Sequence, residues 1–93
     1  MRLNKSEIEK KLQEVPGWQL MDKAIRRESI FRDFREAMAF VNHVAEIAEN
    51  LDHHPDICIY YNKVVLSVYT HSEGGLTDKD FDLARRVNQW LTS

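Results

Sequence analysis

The chain has 93 residues, with 13 Lys and Arg against 15 Asp and Glu and a formal net charge of −2. That length suits one domain over 1–93, and the near-neutral balance gives no reason to expect nucleic acid or an anionic membrane as partner. The single cysteine, Cys58, excludes an internal disulfide and fits a reducing compartment, and no apolar run approaches the roughly 18 residues of a membrane helix.

Met1-Arg2-Leu3-Asn4-Lys5 has no apolar stretch behind it. No secretory signal is therefore expected, and the cytoplasm is the expected location. A first helix is expected from about Ser6 to Val15. Ser6 and Glu9 have capping-box spacing, Ile8, Leu12 and Val15 recur at helical period, and Pro16-Gly17 ends the run. Trp18 to Met21 and Ala24 to Phe31, split by Asp22-Lys23, read as a hairpin.

A second helix is capped by Asp33, with Glu36 three residues on. Phe34, Met38, Val41, Ala45 and Ala48 form one stripe, which Phe40, Val44, Ile47 and Leu51 widen. A stripe that wide predicts burial against both a sheet and a neighbour. The helix should stop by about Asp52, because His54 precedes Pro55 and is pushed out of the helical region.

Ile57 to Tyr61 and Val64 to His71 are expected strands, rich in β-branched and aromatic residues. If Asn62-Lys63 is a two-residue turn, paired positions sum to 125. Ile59 then faces Leu66, Ile57 faces Val68, and His54 faces His71. The last helix should start at Thr77, with Thr77 and Asp80 as a capping box and Leu76 and Phe81 as a hydrophobic staple.

The fold class expected is α+β, in the order α-β-β-α-β-β-α, with helices on one face of an antiparallel sheet. The other face would hold Cys58, Tyr60, Val65, Ser67 and Tyr69. It is too apolar for free solvent, so a subunit interface is expected there. The outer part of the long helix, near Phe40, Val44 and Ile47, is a second candidate interface.

Chemistry concentrates in Leu51-Asp52-His53-His54-Pro55, then Thr70-His71, then Asp80. Three of the chain's 4 histidines lie there, and histidine exchanges protons near neutral pH. Each residue also has a plainer reading. His53 suits a helix C-terminus, Glu49 a solvated helix face, Asp80 a cap and His71 a strand end. His43 lies mid-helix and is read as non-catalytic. Three histidines and an acid could ligate zinc or iron, but adjacent histidines rarely share one ion. No H-x-H, H-E-x-x-H or C-x-x-C element is present. No metal is therefore expected.

Leu51-Asp52-His53-His54-Pro55, Tyr61-Asn62-Lys63-Val64, Thr70-His71, and Gly75-Leu76-Thr77 with Asp80 and Leu83-Ala84 resemble pterin-4a-carbinolamine dehydratase. The likeness extends through Gly17-Trp18 and Arg32-Asp33-Phe34 and covers nearly the whole chain. It implies a four-stranded antiparallel sheet with three helices, a homodimer or homotetramer, and no metal or organic cofactor. It implies a pterin substrate, 4a-hydroxytetrahydrobiopterin, dehydrated to the quinonoid dihydropterin for recycling beside a pterin-dependent aromatic amino acid hydroxylase. It places essential histidines at His53, His54 and His71, and supporting acids at Glu49 and Asp80. The alternative is a dehydratase-like dimeric binding module, or a transcriptional coactivator, docking on a partner protein.

Overall fold

The computed structural model describes residues 1–92. The elements run α1 Lys5–Leu12, β1 Trp18–Met21, β2 Ala24–Ile30, α2 Phe34–Leu51, β3 Asp56–Tyr60, β4 Lys63–Val68 and α3 Asp78–Thr92, with a 3-10 turn over His71–Glu73. This is the expected α+β order. The four strands form one antiparallel sheet in the order β1-β2-β4-β3. Among the described residues no helix is long and apolar enough to cross a membrane.

α1 starts one residue before Ser6, and its cap is Asn4. The Asn4 side chain accepts from the Glu7 N–H at 2.8 Å, and the Glu7 carboxylate accepts from the Asn4 N–H at 2.9 Å. Two capping boxes compete in this stretch. The Asn4 box wins because the Leu3 N–H is tied to the Leu76 carbonyl at 2.8 Å, which fixes the chain just ahead of it. The helix ends at Leu12, short of Val15, which is fully buried in the turn that follows.

Gly17 has φ 89, and a Cβ there would stand 2.0 Å from the Arg27 guanidinium. That guanidinium bonds the Pro16 carbonyl at 2.9 Å and the Asn88 amide oxygen at 3.2 Å. Partial burial holds its pKa below the ordinary arginine value. Only glycine meets both the backbone and the space demanded here.

α2 begins as expected at Asp33, whose carboxylate accepts from the Glu36 N–H at 2.9 Å. That bond holds the Asp33 carboxyl below the usual carboxylate range. The core face of α2 is Ala37, Phe40, Val44, Ile47 and Ala48, packed on Ile25, Val64, Leu66 and Val68 of the sheet and on Phe81, Ala84 and Val87 of α3. Phe40, Val44 and Ile47 are therefore interior and form no outer surface. Phe34, at the start of the other stripe, is about half exposed.

The β3–β4 register differs from expectation. Ile59 pairs Val64, Ile57 pairs Leu66 and Tyr60 pairs Lys63, so positions sum to 123. The turn is Tyr61-Asn62, with Tyr61 in the left-handed region at φ 54. Its cause lies outside the hairpin. The Asn62 side chain donates to the Phe31 carbonyl at 2.9 Å, and the Phe31 N–H donates to the Asn62 carbonyl at 2.8 Å. Lys63 is held in the strand against Ile30. With this sum the position opposite His71 is Asp52, inside the helix cap, so the expected pairing of His54 with His71 is absent.

The faces survive the shift, because a two-residue slip keeps the side-chain parity. Cys58, Tyr60, Ser67 and Tyr69 share the face away from the helices, joined by Met21 and Ile30, which is 73% exposed.

Candidate functional site

α2 ends on Asp52 with φ 50 and ψ 45, and its N–H bonds the Ala48 and Glu49 carbonyls. The His53 N–H returns to the Ala48 carbonyl at 3.0 Å. This is a Schellman-type cap, built on aspartate because its short polar side chain tolerates the left-handed region. It reverses the chain and turns His53 toward the start of α3.

There the His53 Nε2 lies 2.6 Å from Asp80 Oδ1. Asp80 is fully buried and the His53 side chain is 12% exposed. The other carboxylate oxygen, Oδ2, accepts from the Thr77 N–H and from the Thr70 hydroxyl, both at 2.9 Å. The Thr70 and Thr77 hydroxyls are 2.8 Å apart. Thr70 spends its proton on Asp80, so Thr77 donates to Thr70. Every neighbour of an ionised Asp80 is then a donor, including His53 Nε2–H. His53 Nδ1 is left as the open nitrogen. A buried carboxylate this fully bonded is a rigid mount for one imidazole.

One oxygen of Asp80 thus serves the Thr77 cap and the other bonds His53. Thr70 and Thr77 are additions to the expected set. Thr77 read only as a helix cap, and Thr70 gave no signal beyond its place before His71.

His54 points outward. Its Nε2 is 2.5 Å from Glu49 Oε2, on side chains 55% and 76% exposed. His71 opens the 3-10 turn, and its exposed ring lies on Tyr69 with centroids 4.0 Å apart. β4 stops at Val68, and Thr70 pairs with Gly75 in an isolated bridge that closes the loop. The structure thus joins His53 to Asp80 and His54 to Glu49 directly, and sets His71 on Tyr69 at the same end of the sheet. His43 lies elsewhere, stacked on Trp90 at 4.9 Å. Among the described residues no three His, Cys, Asp or Glu side chains are grouped to hold a metal ion.

Comparison with known proteins gives one consistent result. A family profile described as Pterin 4 alpha carbinolamine dehydratase matches residues 1–90. A relative from Thermomicrobium roseum is 52% identical over 86 residues, covering 92% of each chain. One from Sulfolobus acidocaldarius is 45% identical over 89 residues, covering 96% of this chain and 98% of its own. Both carry the provisional name pterin-4-alpha-carbinolamine dehydratase. A crystal structure from Brucella melitensis, described as a transcriptional coactivator/pterin dehydratase, superposes with TM-score 0.92 at 42% identity, covering 96% of this chain and 97% of that one. A pterin dehydratase-like protein, described as a RuBisCO assembly factor in the alpha-carboxysome, shares the fold at TM-score 0.63 and 19% identity, over 77% of this chain and 83% of that one.

Proposed function

The chain belongs to the pterin-4-alpha-carbinolamine dehydratase family, and on that premise we propose that it dehydrates 4a-hydroxytetrahydropterins, 4a-hydroxytetrahydrobiopterin among them, by histidine acid–base chemistry. The observation that carries this reading is the His53–Asp80 pair, an imidazole mounted on a buried carboxylate, with the exposed His54 next in the chain and the exposed His71 following Thr70, which bonds the same carboxylate. In the reaction the C4a–O bond breaks and the hydroxyl leaves as water after receiving a proton. The N–H on the ring nitrogen beside C4a loses its proton, and its electrons form the new C=N bond of the quinonoid dihydropterin. One acid and one base suffice, each contributing roughly 10²–10⁴-fold.

His54 and His71 are assigned the two proton transfers on the C4a side, since both face solvent and can exchange protons between turnovers. His53 is assigned to bind and polarise the ring, since its exposure is small and its orientation is held. Glu49 orients His54. The product would return to a reductase serving a pterin-dependent aromatic amino acid hydroxylase in the cytoplasm. Synthetic 4a-hydroxytetrahydropterin should lose water measurably faster with the protein than in buffer. A rate equal to the spontaneous one would leave only the alternative, a docking module without chemistry.

We also propose a homodimer or homotetramer. A domain this small buries only about 60–65% of its unfolded surface. The outer sheet face leaves Met21, Ile30 and Tyr60 well exposed. A stable interface buries about 800 Å² per partner. Sedimentation at micromolar concentration should give a multiple of 11.0 kDa, and a single 11.0 kDa species would reject the assembly.

A further inference from the structure

We infer that Tyr69 is a positioning residue for His71: its ring holds the exposed imidazole in one orientation for proton transfer. This rests on the dehydratase reading above and deepens it. The three histidines of the motif are anchored differently. His53 lies on the Asp80 carboxylate and His54 on that of Glu49. Among the described residues His71 pairs with no acid. Its ring lies instead on Tyr69, with centroids 4.0 Å apart and 33° between the planes. An exposed imidazole free of any anchor would exchange rotamers on the ps–ns timescale.

The backbone brings the two rings together. Thr70 is extended, with φ −95 and ψ 102, so the residues on either side of it project to one side of the chain and Thr70 to the other. Thr70 thereby turns inward to Asp80, while Tyr69 and His71 meet on the outer sheet face. The chain under both rings is tied down. Thr70 exchanges hydrogen bonds with Gly75 at 2.9 and 3.3 Å, and the Gly74 N–H closes on the His71 carbonyl at 3.1 Å. The freedom left to His71 is in its side chain. Tyr69 is built to remove it, because its own ring is half-buried and packed against the core. From the β1–β2 turn, the Lys23 Nζ stands 5.0 Å from the same ring centroid, within cation–π range. An aromatic pair of this kind raises the population of the stacked rotamer by about three- to tenfold. Stacking also differs chemically from the carboxylate anchors. It uses the face of the imidazole and leaves both ring nitrogens of His71 open to substrate and water, whereas an acid would occupy one of them.

The test measures kcat and KM on a synthetic 4a-hydroxytetrahydropterin, together with the His71 ring proton shifts by NMR. Protons over an aromatic face move upfield. The His71 ring protons should therefore lie upfield in wild type and in Tyr69→Phe, and lose that displacement in Tyr69→Val, where the new residue still suits a strand. Tyr69→Val should lower kcat per folded molecule by about three- to tenfold, with KM within about twofold of wild type. Tyr69→Phe should keep the wild-type kcat. In the His71→Ala background, Tyr69→Val should change the residual rate by less than about 1.5-fold, since a positioning effect vanishes with the group it positions. Four results each overturn the inference and leave the dehydratase reading standing: wild-type kcat in Tyr69→Val, a Tyr69→Phe as slow as Tyr69→Val, a loss that persists in full in the His71→Ala background, or wild-type His71 ring protons with no upfield displacement. No turnover by wild type above the spontaneous rate overturns both.

Discussion

Asp80→Asn should slow turnover by about 10²-fold while leaving the protein folded. The amide oxygen can keep the bonds from the Thr77 N–H and the Thr70 hydroxyl, which both use Oδ2. The loss in unfolding free energy is then held to about 1 kcal/mol. The other terminus becomes an NH2, facing His53 Nε2 across 2.6 Å. Two donors cannot share that contact, so Nε2 must turn acceptor and the ring proton must move to Nδ1. The open nitrogen of His53 changes from acceptor to donor, and its use toward substrate is reversed. The checks are kcat and melting temperature on one preparation, with the histidine nitrogen shifts reporting the tautomer. A lower melting temperature with unchanged turnover per folded molecule would reduce Asp80 to a helix cap.

His54→Ala and His71→Ala should each lower the catalysed rate by roughly 10²-fold or more, at nearly unchanged stability. Both rings are exposed, so removing either should move the unfolding free energy by no more than about 0.5 kcal/mol. His53→Ala should behave differently. It strips the buried Asp80 carboxylate of a partner, which costs about 1–3 kcal/mol in addition to activity. The contrast separates the two classes of histidine. Wild-type rates in both the His54 and the His71 variants would reject the proton-transfer assignment.

The elements that were legible in the chain are those set by neighbours in sequence. Asp33 with Glu36, and Thr77 with Asp80, announce helix starts because a capping bond spans only three residues. Alternation placed Val64, Leu66 and Val68 inside and Cys58, Tyr60 and Tyr69 on the opposite face, because side-chain parity is a property of the strand alone. The His53-His54-Pro55 segment, with Glu49, Thr70-His71 and Asp80, was visible as a motif for the same reason: its pieces are short and their spacing is fixed.

What escaped the sequence was decided by contacts between distant segments. Asn4 outcompetes Ser6 as a cap because Leu3 is tied to Leu76. The β3–β4 turn moves to Tyr61-Asn62 because Phe31, at the end of β2, holds Asn62 by two hydrogen bonds. That one-residue move of the turn shifts the ladder by two, enough to separate His54 from His71 while leaving both faces intact. The chain shows which residues carry protons, since that is the chemistry of each side chain. Which carboxylate holds which histidine was settled only in three dimensions, where the reversal at Asp52 carries His53 across 27 residues of sequence to Asp80 and leaves His54 to Glu49.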